Sequence, residues 1–154
     1  MLDRRSIAIR FALPLVPLAL VALAISAPLL ATSPLLNISI RNFFSIVCHQ
    51  DAARSFWIAG APMAVCVRCL GVYLGAVVGA VVPLRRAVAL RLVAAAVGFN
   101  ALDVAAEAFG RHGNLPAMRF GFGLALGAAV GALVAAWVAD SAALKLRRSA
   151  SLPL

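Results

Sequence analysis

Four long apolar runs, at residues 11–32, 64–83, 89–109 and 117–139, leave few folds open to this chain. The first, from Phe11 to Thr32, carries no charged residue. A helix of roughly 20 apolar residues crosses a hydrocarbon core of about 30 Å. Across all 154 residues the hydrophobic share is 64% and the charged share 12%, which is not the surface of a soluble domain. The expected class is therefore an all-α integral membrane protein. It forms a single membrane domain over 1–154, with four transmembrane helices and a structured outer segment, 33–63, between the first two. Membrane lipid is its first partner. A cleaved signal peptide is the alternative for the first run, because Arg4, Arg5 and Arg10 precede it. Against that, the run is long for such a peptide, and Pro28, Thr32 and Ser33 make a weak cleavage pattern.

A formal charge of +9 raises the question of nucleic acid, but that needs a basic face on a soluble domain. Here the cations gather at the ends of apolar runs, and no nucleic-acid partner is expected. Arg4, Arg5 and Arg10 precede the first run; Arg85, Arg86 and Arg91 join the second to the third; Lys145, Arg147 and Arg148 follow the fourth. Nine of the fourteen basic residues thus fall on one side of a four-span bundle. The positive-inside rule makes that side cytoplasmic, with both termini, in an inner or plasma membrane. The segment 33–63 and the turn 110–116 then lie on the periplasmic or extracellular side. Arg41, Arg54, Arg68, Arg111 and Arg119 soften the contrast without reversing it.

Within the outer segment, Ile38, Phe43, Phe44, Ile46 and Val47 predict a short helix near 37–48, lying at the interface or capping the bundle. Gly71, Gly75 and Gly79 make a smooth stripe on the second span, and Gly123, Gly127 and Gly131 make another on the fourth. Small residues at this spacing let backbones approach closely, either between these two helices or in a homo-oligomer. Pro14 and Pro17 should loosen the first helix, and Pro116 should start the fourth, where its missing donor costs little.

The strongest chemical signal is Cys48-His49 followed by Cys66-Val67-Arg68-Cys69, all three cysteines beside one helix entrance. The dipole of a helix N-terminus and the charge of Arg68 both favour the thiolate there. Cys48, His49, Cys66 and Cys69 make a Cys3His set suited to Zn²⁺. Because Cys48 and His49 are adjacent and their side chains tend to diverge, His49 is either the fourth ligand or a support for the other three. The rival reading is thiol exchange, with Cys66 and Cys69 as the active dithiol and Cys48 attacking or resolving it. Four helices with an outer CxxC are similar in layout to membrane oxidoreductases that pass electrons to a quinone, although such enzymes use a second cysteine pair. An inert disulfide is the third reading, but three cysteines cannot all pair within one chain.

On the third span Asn100, Asp103, Glu107 and Arg111 follow spacings of three, four and four, and so share a face. A charge in hydrocarbon costs at least about 2.5 kcal/mol, so these carboxylates must face protein, water or a cation. Glu107 can pair with Arg111, and Asp103 with Arg68 or Arg119. Together with Arg54 and Asn114 these residues outline either a polar pocket or a set of ion pairs that only hold the bundle. His112 reads as a loop residue. Haem is disfavoured, since His49 and His112 both sit in or beside loops.

The chain also resembles a family of membrane proteins known as domain of unknown function 2085. The resemblance rests on Cys48-His49-Gln50, Arg54-Ser55-Phe56, and Cys66-Val67-Arg68-Cys69 followed by Gly71, Tyr73 and Gly75. Further along, it includes Asp103, Gly110, Arg111, Asn114, Arg119 and Gly121, so that it covers about 40–135. This chain departs from the pattern at Glu107, where the family has Gln, and at Gly121-Phe122, where it has a nearby Thr. The resemblance implies that Cys48, His49, Cys66 and Cys69 form one site, without naming its chemistry. The expectation is a metal-binding membrane protein whose zinc site pins the outer segment to the bundle, with Arg54 and Arg68 offsetting the thiolate charge. The alternatives are a quinone-linked thiol-disulfide oxidoreductase and an accessory subunit of a larger membrane complex. A transporter would require a dimer enclosing Asp103 and Glu107.

Overall fold

The computed structural model describes residues 11–30, 32–110 and 115–150. Arg4, Arg5, Arg10, Arg111, His112 and Asn114 lie outside the described residues, as do the side chains of Lys145, Arg147 and Arg148. The fold is predominantly helical: α1 (Leu15–Leu29), α2 (Pro34–Ser45), a 3-10 turn (Ala52–Arg54), the hairpin strands β1 (Trp57–Ile58) and β2 (Ala61–Pro62), α3 (Val67–Val81), α4 (Arg86–Ala108) and α5 (Pro116–Ala150). Two helical stretches, Arg86–Ala108 and Pro116–Ser141, are long and apolar enough to cross a membrane; α1 and α3 are apolar but shorter.

Hydropathy overstates α3 because Ala64 and Val65 are as apolar as any span residue, yet they lie before the helix in irregular chain and are fully buried. The Ala64 N–H donates to the carbonyl of Ala24 in α1. At the other end of the chain's first run, Phe11 and Ala12 are helical, the chain turns at Leu13 and Pro14, and α1 resumes at Leu15. This is the loosening expected of prolines that cannot donate to the preceding turn.

α3 and α5 form the tightest pair, and the two glycine stripes are the reason. A Cβ on Gly71, Gly75 or Gly79 would strike the carbonyls of Phe120, Leu124 and Ala128. One on Gly123, Gly127 or Gly131 would strike those of Arg68, Val72 and Ala76. The stripes therefore face each other within one molecule. α4 leans on α5 through a narrow seam, its buried residues Ala89, Ala96 and Asp103 recurring every seven positions. Around the seam Val97, Phe99 and Leu102 are exposed, as suits a helix whose outward sides are apolar.

The segment 33–63 packs onto the helices as a cap. On α2, Ile40 and Phe44 are buried in a cluster with Val21, Ala24 and Ala27 of α1 and with Met63, Ala64 and Val65, while Leu35, Ile38 and Phe43 stay exposed. Asn37 donates to the carbonyl of Ala27 at 2.6 Å, joining α2 to α1. Arg41 donates to Pro62 at 2.6 Å, and its own carbonyl accepts from Gln50 at 2.5 Å. The hairpin turns on Ala59 (φ 49°) and Gly60 (φ 78°), the pair of positive φ values that a two-residue turn of matching twist requires.

Candidate metal centre

Cys48 follows α2 in a short irregular stretch, where its backbone N–H still donates to the carbonyl of Phe44 at 2.9 Å. Because Phe44 is fully buried, this bond holds Cys48 against the core, and the cysteine is 4% exposed. Cys66 occupies the N-cap of α3, and Cys69 lies one turn further on, so both sulfurs meet Cys48. All three Sγ atoms lie within 4.8 Å of one another, the one group of this kind among the described residues, and all three are free thiols. Thiolates at about 2.3 Å from a tetrahedral ion stand roughly 3.8 Å apart, so this spacing suits a metal with little movement.

The backbone aims two donors at the sulfur of Cys48. Its Sγ accepts the N–H of Cys66 at 3.2 Å and that of Gln50 at 3.4 Å. Gln50 takes a left-handed φ of 54°, which turns its N–H back toward the sulfur. No sequence signal singled out Gln50 for this conformation.

His49 does not share the sulfur group. It is exposed and lines the same cavity as the cysteines. That cavity has a volume of about 380 Å³, and all three cysteines lie in its wall. Arg54, Arg68 and Arg119 line it too, with Asp51 as the facing carboxylate.

The polar face of α4 holds these arginines from behind. Asn100 donates to Ala96 at 2.9 Å and across to Phe122 of α5 at 3.1 Å. Asp103, 6% exposed, pairs with Arg68. Glu107 takes Arg119 at 2.5 Å and Arg54 at 3.0 Å on the same oxygen, joining α4, α5 and the segment 33–63. Arg54 also meets Asp51 at 3.1 Å. Of the expected polar-pocket residues, Arg54, Arg68, Asp103, Glu107 and Arg119 come together; Arg111 and Asn114 lie outside the described residues.

The family model described as "Predicted membrane protein (DUF2085)" matches residues 48–133, more than half of the 154. The chain belongs to that family. The match begins at Cys48 and contains all three cysteines, Arg54, Arg68, Asp103, Glu107 and Arg119. A stretch of 47 residues is 45% identical to an uncharacterized protein of Methanocaldococcus jannaschii, spanning 30% of this chain and 30% of that relative. No solved structure matches the chain. Membership in the family and the two long apolar helices make this a membrane protein, and its three cysteines lie close enough together that they could hold a metal ion.

Proposed function

We propose that this family member is a four-span protein of the inner or plasma membrane whose cysteine triad carries a zinc ion on the outer face. The observation that carries the reading is the convergence of Cys48, from the outer segment, with Cys66 and Cys69, from the start of α3, within 4.8 Å. An ion shared among them ties the two parts of the chain together. Soft thiolates favour zinc among the available divalent ions. The orientation is supported by the basic groups at Arg85, Arg86 and Arg91, next to the α3–α4 connection and at the end of α3 opposite the cysteines. With 15 residues, α3 reaches only about 22 Å, so the ion sits recessed below the outer boundary of a core of about 30 Å.

Elemental analysis of the purified protein, with thiols counted before and after chelation, tests this. Near-stoichiometric zinc with three protected thiols is the expected result. Metal-free protein with a reducible disulfide between Cys66 and Cys69 would replace it with the thiol-exchange reading.

A further inference from the structure

We propose that the triad holds its ion with one coordination position open to the outer cavity, and that a small exogenous anion completes it there. This rests on the metal reading above and takes it from a closed structural site to a ligand-binding one, the distinction being whether protein fills the fourth position.

Three observations carry it. First, Cys48, Cys66 and Cys69 all lie in the wall of one cavity, so an ion bonded to their sulfurs presents its remaining vertex to that space. At about 380 Å³ the cavity is some ten times the roughly 30 Å³ share of one water in the liquid. Second, no side chain among the described residues completes the sulfur set. His49 lines the same cavity but lies outside the group, while Asp51 accepts the Ala53 N–H at 3.0 Å through one oxygen and meets Arg54 at 3.1 Å through the other. Third, the cavity's charged wall is mainly cationic. Arg54, Arg68 and Arg119 line it, whereas their partners Asp103 and Glu107 stand behind and do not. Arg119 is 4% exposed, and its Nε has no hydrogen-bond acceptor among the described residues; the buried Nε of Arg68 is in the same state. The Nη2 of Arg119 lies 2.5 Å from Glu107 but outside hydrogen-bonding geometry. Buried guanidinium donors without acceptors are costly, and an anion bound beside them would supply what is missing.

The test uses the full-length protein in detergent, loaded with Co²⁺, whose visible absorption reports its ligands, and titrated with sodium azide. A saturable change in the cobalt spectrum is expected. Its half-point, read on the cobalt-loaded fraction, should rise about tenfold in Arg119→Gln and in Arg54→Gln, the loss of one charged hydrogen bond. Arg54 is half-exposed, so its variant carries the comparison if Arg119→Gln does not fold. A loaded protein blind to azide, with a spectrum altered by His49→Ala, overturns the open position and leaves the metal reading intact. Equal azide affinity in wild type and Arg54→Gln overturns it as well. Protein that takes up no cobalt while all three thiols react overturns both readings together.

Discussion

Replacing Gly75 by alanine puts one methyl group between two helix backbones. The new Cβ would stand 2.8 Å from the amide nitrogen of Ala128 and closer still to the carbonyl oxygen of Leu124. Neither atom can rotate aside, because both are main chain inside α5. Restoring ordinary contact of 3.4 Å to the Ala128 nitrogen alone moves the helices apart by at least about 0.6 Å (3.4 minus 2.8). A gap of that size forfeits a quarter to a half of the dispersion attraction along the interface. Overpacking costs about 1–3 kcal/mol, and a rigid backbone clash belongs at the upper end. Alanine returns about 0.5–1 kcal/mol of helix propensity, so the net loss is about 2 kcal/mol. Gly98 of α4 is the control, since a Cβ there meets nothing within 4 Å. Gly98→Ala should therefore gain about 0.5–1 kcal/mol. Unfolding both variants by detergent titration, followed by circular dichroism, gives the ordering Gly98→Ala, wild type, Gly75→Ala. A Gly75→Ala protein as stable as wild type would refute the backbone contact between α3 and α5.

If the proposed metal site is right, Cys48→Ser removes the ligand contributed by segment 33–63, so bound metal should fall well below stoichiometric by elemental analysis. Trypsin should then cut faster at Arg41 and Arg54 than in the intact protein. Acidification should release the metal, because protons compete for the thiolates: binding is retained at neutral pH and lost as pH falls, which a zinc indicator can follow. Asp103→Asn strips Arg68 of its buried counter-charge and should cost roughly 3–5 kcal/mol in the same detergent titration. Asp51→Asn, at an ion pair with both side chains nearly half exposed, should cost less than about 1 kcal/mol.

Much of the architecture was legible in the pattern of residues. Glycines every fourth position announced close packing, and the contact they make is with each other across α3 and α5. The stripe of Asn100, Asp103 and Glu107 announced an inward face, and each of the three finds a partner on another element. Partner choice was harder to read. Local spacing offered Arg111, which lies outside the described residues, to Glu107; it gave no hint of Arg54 and Arg119, more than fifty residues upstream and twelve downstream, which Glu107 holds. Helix ends were also misjudged by hydropathy, which cannot tell a membrane-facing residue from Ala64 or Val65 buried in irregular chain. Convergence of the three cysteines followed from spacing for Cys66 and Cys69, but Cys48 reaches them only because Phe44 and Ile40 anchor α2 in the core.

The glycine ladder between α3 and α5 has a consequence for specificity. Its repeat of four residues nearly reproduces itself after one turn, so sliding α5 by about 6 Å would still set two of three glycines opposite a partner backbone. Smooth surfaces make a strong joint and a poor ruler. The alignment is instead set at one end, where the same slip would carry Arg119 about 6 Å from Glu107 and draw α5 away from the cavity that holds the thiols. The charged groups thus act as the index mark of the bundle: the ladder supplies adhesion, and Asp103 and Glu107 of α4, holding Arg68 of α3 and Arg119 of α5, tell the helices where to stop.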